Sequence, residues 1–170
     1  KNDLKIIINK LNEFLCTHIE NQISAGADTI QIFDSWAGLI PSINIHDYCY
    51  EPNRKLVEFC KKKKIPVICF PRGINKNYLK FAEIVKPHCL SLDYQLDPIW
   101  AKEKLSNFCL QGGMHPKILF ESEKKIFHEV DKYLNIFKKT PYIFNLGHGL
   151  MPETNPDILK KVVERVVNFK

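Results

Sequence analysis

A parallel α/β fold is predicted by three features of the sequence. Stretches of strand character and stretches of helical period alternate along the chain. One strand, "IPVICF" at residues 65–70, is a continuous apolar run of the type buried on both faces. Each strand then leads into a polar or glycine-bearing segment: "FDSWAG", "FPRG", "LDYQ", "LQGG" and "NLGHG". Two architectures accommodate this, an open doubly wound sheet or part of a (βα)8 TIM barrel. No G-x-G-x-x-G follows any strand, which weakens the dinucleotide-binding version of the open sheet. Polar clusters at the carboxyl end of every strand are where a barrel builds its active site. The predicted class is therefore α/β, a (βα)8 TIM barrel of which this chain holds about five βα units.

Each element follows from its own pattern. Residues 5–24 carry Ile7, Ile8, Leu11, Phe14, Leu15 and Ile19 at helical spacing. "GAD" then turns into the strand "TIQIF" at 29–33. Residues 41–45 are loop, 46–63 are helical, and 65–70 form the second strand. A short helix at 76–85 precedes the third strand at 88–92. Residues 97–104 read as a short helix with an early proline, and "NFCLQG" at 107–112 is the fourth strand. An amphipathic helix at 122–137, a strand at 142–145 and a helix at 156–169 complete the chain. That makes five strands and six helices, with no linker, internal boundary or low-complexity stretch. Parallel strands joined through helices take right-handed crossovers.

Composition narrows the function classes. The 170 residues are 45% hydrophobic and 26% charged, which suits one compact domain with a real core. No apolar run reaches about 18 residues, so no membrane span is expected. No basic-then-apolar leader is present. Six scattered cysteines without a C-x-x-C pair read as buried thiols in a reducing cytoplasm. The nearest approaches to metal-ligand spacing, Cys16/His18 and His46/Cys49, are too weak, and no metal is expected. The formal charge of +6 is spread over helices, densest in "CKKKK" at 60–64, where lysines complement a helix C-terminus. A basic balance also suits a polyanionic ligand. Aromatic–basic interleaving and zinc-finger spacing are both missing, so nucleic acid is not an expected partner.

The loops carry the candidate chemistry. Ser35 in "QIFDSWAG" is a hydroxyl donor for a carboxylate, or else part of an ordinary Ser/Asp cap. Arg72 in "FPRG" suits bidentate carboxylate recognition, or is a surface arginine in a turn. Asp93 in "SLDY" is a helix cap or a buried acceptor. Gln111 in "LQGG" is placed to face a barrel mouth, with Gly112 and Gly113 allowing close backbone approach. His148, between Gly147 and Gly149, is the best single candidate, able to donate to an anion or shuttle a proton; a structural histidine is its alternative. G-x-S-x-G is absent, so there is no nucleophile elbow, and spacing alone leaves the reaction open.

Three segments carry a resemblance: "GADTIQIFDSWAG" at 26–38, "LQGGMHP" at 110–116 and "YIFNLGHGLMPETNPD" at 142–157. In order and spacing they resemble the uroporphyrinogen decarboxylase family, and the likeness runs essentially end to end. It covers only the C-terminal half of that family's chain, roughly strands 4 to 8 of the barrel. The resemblance implies a cytoplasmic homodimeric carboxy-lyase of haem and porphyrin biosynthesis that works without a cofactor. It would remove the four acetate carboxylates of uroporphyrinogen III to give coproporphyrinogen III. Carried over residue by residue, Ser35 matches the family's hydroxyl-bearing substrate contact after "FD", and His148 matches its substrate-contacting histidine. Arg72 stands where relatives usually have lysine, a possible additional contact.

The chain also departs from the family's pattern. Relatives typically read "QGNLDP", whereas Gly113, Met114 and His115 stand here. The arginine-rich Arg-Gln-Ala-Gly-Arg segment and the ring-binding aspartate and tyrosine of the family lie upstream, so no catalytic residue is assigned within residues 1–170. The chain opens at Lys1 without an initiator methionine and is expected to be the C-terminal part of one barrel domain, its N-terminal half absent. A complete barrel takes about 250 residues. Alone, the chain is expected to be inactive, with unpaired edge strands, and to aggregate or fold poorly. Two other readings remain. A cobalamin-linked zinc methyltransferase of the same superfamily would use an H-x-C pair, but Cys69 in "VICFPRG" has no histidine two residues before it. A non-catalytic tetrapyrrole-binding relative is encouraged only by the altered "QGGMHP" loop.

Overall fold

The computed structural model describes residues 2–169. The chain divides into two compact units, Lys1–Leu90 and Ser91–Lys170. Five strands are hydrogen-bonded in sequence order, β1-β2-β3-β4-β5, in an α/β fold consistent with part of a TIM barrel.

The first unit opens with α1 (Asn2–Ser24). Its apolar stripe has the expected period, yet Ile7, Leu11 and Phe14 are 53%, 55% and 69% exposed while only Ile19 of that stripe is buried. Asn12 anchors the helix by donating from Nδ2 to the Pro52 carbonyl at 3.1 Å. Gly26, at φ 103°, takes the left-handed conformation that ends the helix. Strands β1 (Ile30–Asp34) and β2 (Val67–Pro71) are parallel, with Ile30 opposite Val67 and Asp34 opposite Pro71. Between them lies α2 (Glu51–Lys62), entered through a wide π turn at His46–Tyr50. The sequence predicts helix over 46–63, and helix is present there with a first turn of π rather than α type. Pro52 explains the difference, since it lacks an N–H and its ring crowds the carbonyl four residues back, so the chain widens by one residue. A short helix α3 (Tyr78–Val85) ends at left-handed Lys86 and leads to β3 (Cys89–Leu92), which pairs in parallel with β2 through Ile68–Cys89 and Cys69–Leu90. His88 fixes that register, its N–H donating to the Val67 carbonyl while its Nδ1 accepts from the Val67 N–H, both at 3.1 Å. Tyr50, Val57, Cys60, Cys69, Tyr78 and Phe81 form the fully buried core of this unit.

In the second unit, Asp97 caps α4 (Pro98–Leu105) by accepting from the Ile99 N–H at 2.9 Å. Strand β4 (Cys109–Gly112) is followed by a 3₁₀ turn at Pro116–Phe120, then α5 (Glu123–Phe137), β5 (Tyr142–Ile143) and α6 (Pro156–Val167). Leu110 and Gln111 pair in parallel with Tyr142 and Ile143. The fifth strand is shorter than the predicted 142–145. Asn145 turns its side-chain oxygen onto the Leu146 N–H at 2.8 Å, and the ladder resumes only as an isolated bridge between Met114 and Leu146. The core here is Leu105, Leu110, Met114, Ile126, Val130 and Phe137, with Phe137 stacked on Tyr142 at 4.3 Å. An apolar groove of about 460 Å³ runs beside α6, lined by residues including Phe144, Leu150, Leu159 and Val163.

Of the six cysteines, Cys49, Cys60, Cys69 and Cys89 are buried, and Cys16 and Cys109 are half-buried. Among the described residues, no helix is long and apolar enough to cross a membrane.

Candidate functional site

In the first unit the candidate residues sit just past the carboxyl ends of β1 and β2. Asp34 closes β1 with its carboxylate turned inward, accepting from Asn53 Nδ2 at 3.0 Å. The same amide group donates to the Cys49 carbonyl at 2.9 Å, so one α2 side chain ties the strand end to the π turn. Burial pushes the Asp34 carboxyl above the ordinary carboxylate range, against hydrogen bonds from Cys49 and Asn53 that pull it down. Because Asp34 takes the inward position, strand alternation leaves the next residue, Ser35, half-buried beyond it. No hydrogen bond ties the Ser35 hydroxyl to another described residue, and the turn at Ala37–Leu39 has no side-chain cap. The ordinary-cap account of Ser35 therefore has no bond to rest on.

Arg72 is held against this loop by its backbone. Its N–H is shared between the Asp34 and Phe70 carbonyls, both at 3.1 Å, and its carbonyl accepts from the Gly38 N–H at 2.9 Å. A side chain at Gly38 would meet the Gly73 carbonyl oxygen at 2.6 Å, so glycine is required for the two loops to lie this close. Ser35 and Arg72 thus occupy neighbouring strand ends. The half-buried guanidinium makes no ion pair with a described carboxylate.

In the second unit, Asp93 is buried and its Oδ1 accepts from the Gln95 N–H at 2.9 Å, making it a local turn acceptor; the helix cap is Asp97. Gln111 is buried and donates from Nε2 to Ser91 Oγ at 3.2 Å. Gly112 and Gly113 both have positive φ, 77° and 101°, and tyrosine hydroxyls lock their carbonyls: Tyr142 donates to Gly112 at 2.7 Å and Tyr133 to Gly113 at 2.8 Å. Burial, reinforced by Glu129 and Asp97, pushes the Tyr133 phenol up to about 12, so it stays a donor.

The two glycines around His148 are not equivalent. Gly147 donates its N–H to the Met114 carbonyl at 2.8 Å, and a Cβ there would lie 2.4 Å from the Tyr94 backbone nitrogen. A Cβ on Gly149 would meet nothing within 4 Å. Close approach is therefore demanded at Gly147 alone, and by the backbone of the β3 loop. This seats exposed His148 beside Tyr94, with ring centroids 6.5 Å apart edge-to-face. Tyr94 also packs on His115 at 4.1 Å. The sequence marks His115 as a departure from the family pattern and Tyr94 only as part of "SLDY", and does not show that the two meet. The substitution of His115 into the "QGNLDP" pattern was the available signal.

Cys69 is fully buried, and burial first of all pushes its thiol well above the ordinary range, while Val67 stands where the zinc methyltransferases carry histidine. That superfamily alternative is not favoured.

Five parallel strands in one sheet, with donor-bearing loops beyond their carboxyl ends, define an α/β protein of the kind found in TIM barrels. The chain belongs to the uroporphyrinogen decarboxylase (URO-D) family, whose model matches residues 1–169. Relatives include the uroporphyrinogen decarboxylases of Orientia tsutsugamushi (strain Ikeda), 38% identical over 95% of this chain and 48% of the relative, and of Rickettsia bellii (strain RML369-C), 36% identical over 98% and 49%. That of Paracoccus denitrificans (strain Pd 1222) is 32% identical over 94% and 48%. The chain spans about half the length of the curated relatives it matches.

Proposed function

We propose that the protein containing this chain is a uroporphyrinogen decarboxylase that removes the four acetate carboxylates of uroporphyrinogen III, without a cofactor, to give coproporphyrinogen III. Residues 1–170 correspond to the C-terminal part of one barrel domain, roughly strands 4 to 8, with the acid–base machinery contributed upstream. The whole protein works in the cytoplasm as a homodimer. The observation that carries this reading is the family match over residues 1–169; the resemblance at "FDS" and "NLGHG" supports Ser35 and His148 as its substrate contacts.

The chemistry suits these residues. Protonating a pyrrole carbon turns the ring into an electron sink for the departing carboxylate, so the protein's task is to position a polyanion and supply a proton. Ser35 Oγ, the Arg72 guanidinium and the His148 imidazole are donors for substrate carboxylates, and none of them supplies a nucleophile. They bind and orient.

The test is to incubate the complete protein with uroporphyrinogen III and resolve the products by carboxylate number. Successive loss down to the tetracarboxylate supports the reading; unchanged octacarboxylate overturns it. Ser35→Ala and His148→Ala are each expected to lower kcat/KM about tenfold, chiefly through KM, the loss of one charge-assisted hydrogen bond. Unchanged kinetics in both would remove them from the site.

A further inference from the structure

Three side chains of the second unit meet at one place: Tyr94 after β3, His115 after β4 and His148 after β5. All lie beyond the carboxyl ends of their strands. Tyr94 is the half-buried centre, and both histidines are exposed around it. The Tyr94 hydroxyl and both His148 ring nitrogens bond to no described residue. His115 uses only Nδ1, which accepts from the Lys117 N–H at 3.1 Å to cap the 3₁₀ turn. With Nδ1 engaged as acceptor in the cap, Nε2 is the ring nitrogen turned outward to donate.

We propose that His115 and Tyr94 are further binding residues, forming with His148 a three-donor cluster for a carboxylate of the tetrapyrrole. The inference rests on the decarboxylase reading and deepens it by naming residues the family resemblance does not assign. An aspartate at position 115 would be an acceptor-only group that repels a polyanion. Histidine preserves the turn cap through Nδ1 and exchanges that repulsion for a donor. Histidine here therefore caps the turn and still faces a ligand with a donor.

The test uses the complete protein and uroporphyrin III, the stable oxidised octacarboxylate, followed by quenching of its fluorescence. His115→Asp retains a capping oxygen but loses the donor, and is expected to raise Kd about tenfold or more. His115→Asn retains both the cap and an N–H donor, and is expected to stay within about threefold of wild type. Tyr94→Phe is expected to raise Kd about threefold. Wild-type affinity in His115→Asp, or equal weakening in the Asp and Asn variants, overturns this inference while the wild type still turns over uroporphyrinogen. A wild type that neither binds uroporphyrin nor decarboxylates its substrate overturns the decarboxylase reading itself.

Discussion

The loops carrying Ser35 and His148 reach a similar end by different physics. Below Ser35 lies a polar network, Asp34 to Asn53 to the Cys49 carbonyl, that spends a partly desolvated carboxyl on fixing a strand end. Beneath His148 the Gly147 N–H donates to the Met114 carbonyl at 2.8 Å, Gly147 is pressed against the Tyr94 backbone, and the Tyr94 ring packs beside the imidazole. A loop held by hydrogen bonds tolerates added volume but not a lost partner. A loop held by backbone contact tolerates lost polar groups but not one extra carbon.

The largest expected effect tests the second half of that contrast. Gly147→Ala places a Cβ 2.4 Å from one backbone atom of Tyr94 and 2.9 Å from another. Neither can rotate away, so the β3 and β5 loops must separate. We expect a stability loss of about 2–3 kcal/mol in the complete protein, read from the urea midpoint, together with weakened tetrapyrrole binding. Gly149→Ala, two residues on, is expected to change stability by less than about 0.5 kcal/mol. Equal effects from the two would show that the loop is not seated by backbone contact.

Next in size is the network under Ser35. Asn53→Ala removes the donor to both Asp34 and the Cys49 carbonyl and leaves the carboxylate without that partner, which is expected to cost about 1–2 kcal/mol. The same substitution is expected to impair kcat/KM by loosening Ser35. A variant as stable as wild type would place the anchoring elsewhere.

How much of this was readable in the sequence follows from range. The alternation of strands and helices was legible because it is written in local period, and all five strands and six helices are present. A boundary failed where one side chain redirected the backbone, as Asn145 does after Ile143, whereas at Pro52 the helical span held and only the type of its first turn changed. "GHG" could not reveal that one glycine is compulsory and the other is not, since the reason is the Tyr94 backbone, distant in sequence. Tyr94 and His115 meet for the same long-range reason. Ser35 and His148 were picked out because motif and chemistry coincided at them.

The smallest expected effect separates the cost of the Asp34 network from its benefit. Burial raises the Asp34 carboxyl above its unfolded value. Below the ordinary carboxylate value, near pH 4, both folded and unfolded chains keep the proton and Asp34 imposes no pH-dependent cost. As pH climbs past it, the unfolded chain ionises first while the folded one still holds its proton. Stability falls through that window and levels off above the raised value. Asp47, Glu51 and Asp131 behave oppositely, because hydrogen bonds from Lys5, Arg54 and Arg165 respectively lower them, and their contribution is lost on acidification. Those three remain in Asp34→Asn, so subtracting its urea midpoints from wild type isolates Asp34. The difference is expected to move in favour of the variant as pH rises from about 3 to 7, then to flatten. A difference independent of pH would mean that the Asn53 amide and the Cys49 thiol fully offset the burial of the carboxyl.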